Sequence, residues 1–116
     1  MSCEIHEEHG VIVVDLSGDV DLDSSSKVRQ TLLDYVGRKR DVLVDLSRVR
    51  YIDSSGIASL VEAYQSARRG KTRFALVAVS EAAMRVLELA RLDRVFAIHD
   101  SLEDALGDSP GRQPGQ

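Results

Sequence analysis

The densest grouping of reactive side chains is Asp53-Ser54-Ser55-Gly56, two hydroxyls set between a carboxylate and a glycine. Ile57, Leu60 and Val61 follow at helical spacing, so the four residues stand where the chain leaves the sheet and enters a helix. There Asp53 is placed as N-cap to accept from the first free backbone N–H groups, and Ser55 falls in the first turn, beside unpaired donors and the positive end of the helix dipole. The chemistry such a hydroxyl invites is phosphorylation. A phosphate adds about 1.5 to 2 negative charges at pH 7, next to Asp53, and this helix end would tolerate it. Its effect would fall on whatever surface docks there. Gly56 would let a partner backbone or a kinase active site come close to Ser55. A plain capping turn explains the same residues, and their spacing alone does not choose between the two.

Other groupings imitate sites and fail in detail. Asp19, Asp21 and Asp23 alternate like the start of a calcium loop, but its sixth position would be Ser24 instead of glycine and its twelfth Gln30 instead of glutamate. Turn and cap roles suit these acids better. Gly70-Lys71-Thr72 matches the end of a phosphate-binding loop, yet Gln65 stands where the leading glycine belongs, and the triplet leaves a helix instead of opening one. Arg68, Arg69, Lys71 and Arg73, like Arg38, Lys39 and Arg40 earlier, read as basic charge complementing a helix C-terminus. The three histidines, His6, His9 and His99, lie far along the chain from Ser55, and the turn lacks the Gly-x-Ser-x-Gly elbow of a serine hydrolase. No carboxylate pair or His/Cys cluster has catalytic or metal-ligand spacing, so no catalytic residue, metal or cofactor is expected.

Around the Asp53 turn, strand and helix patterns alternate. Residues 3–8, the His9-Gly10 turn and Val11 to Leu16 read as a hairpin ending at Gly18. Serines and aspartates then offer helix caps before Val28, Leu32, Tyr35 and Val36, and Gly37 ends that helix. Val42 to Leu46 has the continuous apolar character of a covered strand at the sheet centre. The helix after Asp53 runs to Gly70, Arg73 to Val79 forms another strand, and Ser80 caps a helix bearing Val86, Leu87 and Ala90. Val95 to Ile98 is a last short strand, and Ser101 opens a terminal helix with capping-box spacing to about Leu106. The expected fold is α/β: a mixed sheet of four or five strands, begun by an antiparallel hairpin, with about four helices against it.

At 116 residues and 43% apolar, the chain has the size of one domain with one core, here expected over 1–107. Residues 108–116, with both prolines and no large apolar side chain, are expected to be a disordered tail. The net charge of -4 argues against direct nucleic-acid binding. A single cysteine offers no disulfide framework, no run approaches about 20 apolar residues, and no signal pattern opens the chain. A cytoplasmic protein without a membrane span is expected.

The run from Val42 through Asp53-Ser54-Ser55-Gly56 to Leu60 resembles the signature of the STAS domain family. Leu16-Ser17-Gly18-Asp19-Val20-Asp21 is similar to the family's turn after the second strand, and Val86 to Phe96 to its last long helix and strand. The likeness covers about Ile5 to Leu106. It implies a stand-alone anti-sigma factor antagonist of bacterial sporulation or stress responses, in which the serine before the glycine, here Ser55, is the phosphoacceptor. Its implied partners are an anti-sigma factor with serine kinase activity, bound when Ser55 is unmodified, and a serine phosphatase that resets the cycle. Asp21, Asp53, Ser54, Gly56 and Ile57 would form or shape the partner surface, with Asp21 close in space to the phosphorylated turn. The protein itself would be a monomer or weak dimer and no enzyme. The same family also supplies accessory subunits of phospholipid-transporting ABC complexes and components of stress-sensing scaffolds, which are the competing functions.

Overall fold

The structure, a computed structural model, describes residues 1–107; the expected tail lies outside them. Strands β1 (Ser2–Glu8) and β2 (Val11–Val20) form the antiparallel hairpin, turned by His9 and Gly10 at positive φ. There follow α1 (Leu22–Gly37), β3 (Val42–Ile52), α2 (Ser54–Gly70), β4 (Phe74–Val77), α3 (Glu81–Leu89), β5 (Ala97–His99) and α4 (Leu102–Gly107). The sheet has five strands in the order β1-β2-β3-β4-β5, with every neighbouring pair after the hairpin parallel. The expected mixed α/β architecture is therefore present.

Period-two alternation divides the strands between two faces. Ile12, Val14, Leu16, Val42, Val44, Leu46 and Leu76 face the main core, where Val28, Leu32 and Val36 of α1, Leu60, Ala63 and Ala67 of α2 and Leu87 of α3 cover them. On the other face Leu43, Ala75 and Val77 meet Ala105 of α4. Both faces of the central strands are buried, which is why Val42 to Leu46 reads as a nearly continuous apolar run.

Several element ends differ from the sequence expectation. Strand β2 continues past Gly18, because Gly18 at φ +82 sits at a register irregularity within the β2–β3 ladder and pairing resumes to Val20↔Ile52. Strand β3 likewise continues past Leu46 to Ile52, six residues longer than expected, paired on that stretch with β2 while β4 pairs only with Val42 to Asp45. The chain thus passes from strand to α2 through Asp53 alone. Helix α2 ends at Gly70 as expected, with Lys71, at φ 60, as its left-handed cap. Strand β4 is shorter at both ends than Arg73 to Val79, with Ala78 at φ 51, and β5 lies at Ala97–His99.

Candidate functional site

Adjacent parallel strands deliver their carboxyl ends side by side, so the helices that follow begin side by side as well. Val20 and Ile52 are register partners, and the Asp53 N–H donates to the Val20 carbonyl at 3.1 Å. Asp21 caps α1 and Asp53 caps α2. Ser59, 4% exposed on α2, ties the first turns together: its hydroxyl lies 3.2 Å from the Ser25 carbonyl of α1 and 3.1 Å from that of Ser55. Further along, the Arg29 guanidinium grips the Glu62 carboxylate, Nη2 to Oε1 at 3.0 Å.

At the α2 entrance one oxygen gathers three donors. Asp53 Oδ1 accepts from the Ser55 N–H at 2.9 Å, the Gly56 N–H at 3.2 Å and the Ser55 hydroxyl at 2.6 Å. The Ser55 hydroxyl bond is the largest influence holding the Asp53 carboxyl below the ordinary range; partial burial opposes it, and the amides of Gly56, Ser55 and Leu22 assist. Asp53 is thus a carboxylate at neutral pH. Ser55 is half-buried, with its proton directed at Asp53 and its oxygen lone pairs available to an electrophile. A carboxylate within hydrogen-bond reach of a hydroxyl can orient it and take up its proton during transfer. Ser54, the first residue of α2, is exposed and has Ser55 as its inward neighbour.

The other residues expected here divide between surface and core. Asp21 accepts from the amides of Asp23 at 3.1 Å and Ser24 at 3.3 Å, while the Asp21 N–H donates to Ser24 Oγ at 3.0 Å in a reciprocal box. Its chain neighbours Val20 and Leu22 are the residues whose backbones act on Asp53, which brings the two caps together. Gly56 is buried, and the room it provides is taken up inside the fold. A Cβ there would meet Ile52 Cγ1 at 2.7 Å and Val20 Cγ1 at 2.8 Å, so the close approach concerns the ends of β2 and β3 and not a visitor. Ile57 is 8% exposed and joins the main core, where it anchors the first turn of α2.

Two residues that composition and spacing did not single out stand beside this turn. Leu22, first residue of α1, is 75% exposed, and Tyr51, two residues before Asp53, is 52% exposed. The only signal in the sequence is that Leu22 falls off the Val28-Leu32-Val36 stripe and that Tyr51 interrupts the inward set Leu46, Val49 and Ile52.

The imitated sites resolve as structure. Asp21 is engaged as a cap and Asp19 pairs with Arg50 at 3.4 Å; among the described residues no three His, Cys, Asp or Glu side chains could hold a metal. Gly70-Lys71-Thr72 closes α2, with the Thr72 N–H bonded to the Ala67 carbonyl at 3.0 Å. His6 and His99 belong to β1 and β5, the two edge strands, whereas Ser55 follows central β3. Among the described residues no helix is long and apolar enough to cross a membrane.

The STAS domain matches residues 2–105. An anti-sigma F factor antagonist of Paenibacillus polymyxa is 27% identical over 110 residues, 91% of this chain and 94% of that protein. An anti-sigma-F factor antagonist of Mycobacterium tuberculosis is 30% identical over 104 residues, 88% of this chain and 84% of that one. Among solved structures, an anti-sigma factor antagonist from Mycobacterium paratuberculosis superposes with a TM-score of 0.82 at 29% identity, covering 90% of each chain. The match runs along nearly the whole described chain, and this protein belongs to the STAS domain family.

Proposed function

We propose that this protein is an anti-sigma factor antagonist whose hold on its partner is switched by phosphorylation of Ser55. The observation that carries the reading is the Ser55 hydroxyl, half-buried in the first turn of α2 and bound at 2.6 Å to the capping carboxylate of Asp53. Relatives matching over most of their length are named anti-sigma factor antagonists, which supports the partner class.

In the proposed cycle the unmodified protein binds an anti-sigma factor that is also a serine kinase and so frees the sigma factor. The Ser55 Oγ then attacks the γ-phosphorus of the partner's ATP. The O–P bond to Ser55 forms as the bond to ADP breaks, and the hydroxyl proton passes to Asp53 and on to solvent. Phosphoserine carries about 1.5 to 2 negative charges, which repel the nucleotide phosphates opposite and release the partner. A serine phosphatase restores the hydroxyl by hydrolysis. The kinase and phosphatase activities belong to the partners, and the protein works as a cytoplasmic switch needing no cofactor. Asp21 and Ser54 border the docking surface, and Gly56 and Ile57 hold the turn in place from within.

The test is native mass spectrometry with the anti-sigma factor kinase of the same organism. With ADP present a complex should form; after ATP and one phosphate added, it should dissociate. A complex of undiminished affinity after phosphorylation at Ser55 would refute the switch.

A further inference from the structure

We infer that Leu22 and Tyr51 are the apolar anchors by which the anti-sigma factor grips this end of the molecule, supplying affinity while Ser55 supplies release. The inference rests on the anti-sigma reading of the Ser55 site. A leucine at the first position of a helix, 75% exposed, contributes nothing to capping, and its face of α1 continues through Ser26 and Arg29, both exposed. Tyr51 is 52% exposed on a strand whose neighbours Val49 and Ile52 are 2% exposed each. The Leu22 amide acts on the Asp53 carboxylate, and Tyr51 lies two residues before it, opposite Asp19 in the β2–β3 register. The other exposed large apolar side chains among the described residues lie elsewhere: Met1 and Ile5 in the β1 region, Leu89 and Val95 around the α3–β5 connection.

The charge around the two anchors specifies the partner's chemistry. Arg50 is taken by Asp19 at 3.4 Å, and among the described residues Asp21 and Asp23 enter no ion pair. Two apolar side chains edged by uncompensated carboxylates complement an apolar recess with a cationic rim. A kinase presents such a rim, because cationic side chains hold its nucleotide phosphates. Aromatic and aliphatic anchors carry a disproportionate share of interface energy once the surrounding contacts exclude water. Phosphorylation leaves both anchors intact, so release comes from the phosphate charge and not from lost packing.

Titration calorimetry with the organism's anti-sigma factor kinase, held in ADP so that no phosphate is transferred, reads the inference directly. Leu22→Ser and Tyr51→Ser should each weaken binding about tenfold or more. Leu22→Met and Tyr51→Phe should stay near wild type, as should Leu89→Ser. Thermal unfolding should be unchanged in Leu22→Ser, Leu22→Met, Tyr51→Phe and Leu89→Ser, and Tyr51→Ser, which lies in a strand, is compared at equal folded fraction. If both serine variants bind like wild type while Ser55→Asp does not bind, the anchors are wrong and the anti-sigma reading stands. Weak binding by Tyr51→Phe would also overturn the inference, since a polar contact would then be at work. If the wild-type protein itself does not bind, the anti-sigma reading fails and the anchors fall with it.

Discussion

The Ser55 hydroxyl donates to Asp53 Oδ1 at 2.6 Å, the same oxygen that accepts the Ser55 and Gly56 amides and so begins α2. Cap and phosphoacceptor therefore share one atom. Whatever alters the charge of Asp53 alters the start of the helix and the setting of the hydroxyl together, which yields a pH prediction. The folded-state pKa of Asp53 is depressed, so its ionised form contributes stability above the unfolded-state value, near 4 for aspartate, and loses it as pH falls through the depressed folded value. Asn at this position still caps but does not titrate. Urea unfolding of wild type and Asp53→Asn should show wild type more stable at pH 6 to 7 and the advantage shrinking below about pH 4. A difference independent of pH would contradict the link.

Gly56→Ala should destabilise the fold by about 1 to 3 kcal/mol, the usual range for overpacking. Its backbone is helical, so alanine meets no conformational strain, and the propensity gain of up to about 1 kcal/mol works the other way. The clash prevails because a Cβ would lie 2.7 Å from Ile52 Cγ1 and 2.8 Å from Val20 Cγ1, both on strands fixed by their ladder. Chemical denaturation measures it, and an alanine variant as stable as wild type would show that the strand ends yield.

Ser59 is 4% exposed where α1 and α2 come together, and its hydroxyl satisfies the Ser25 carbonyl at 3.2 Å. Ser59→Ala should cost about 1 kcal/mol through the lost hydrogen bond. Ser59→Leu should cost about 1 to 3 kcal/mol by forcing the helices apart. Because the Ser59 hydroxyl also meets the Ser55 carbonyl at 3.1 Å, the leucine variant should also be phosphorylated more slowly than the alanine variant at equal folded fraction, as read by a timed kinase assay.

Lys71 holds φ 60 at the end of α2, a conformation that glycine adopts without steric penalty. Lys71→Gly should raise stability by roughly 0.5 to 1 kcal/mol after glycine's greater unfolded-state entropy is deducted. Thermal unfolding tests this, with a lowered midpoint as the contrary result.

Local chemistry explains what could be read ahead of the structure. Asp53, Ser80 and Ser101 each accept from backbone amides in the following turn, a relation contained within four residues and therefore visible in the chain. The alternation of strands and helices was visible for the same reason, since each element announces its own buried face. What depends on a distant segment is not legible locally. Gly18 reads as a stop, yet the β2–β3 ladder carries the strand across it. At the site, Ser55 beside Asp53 was legible from sequence. The inward role of Gly56 was not, because Val20 becomes its neighbour only through sheet pairing. The exposure of Leu22 and Tyr51 depends equally on how β2, β3 and α1 meet.

The central claim is that Ser55, and not its exposed neighbour Ser54, receives the phosphate. Incubation with ATP and the anti-sigma factor kinase, followed by tandem mass spectrometry of the peptide containing both serines, tests it most directly. One phosphate on Ser55, abolished in Ser55→Ala and retained in Ser54→Ala, is the predicted result. Phosphate that persists in a folded Ser55→Ala variant, or that maps to Ser54, would contradict the account.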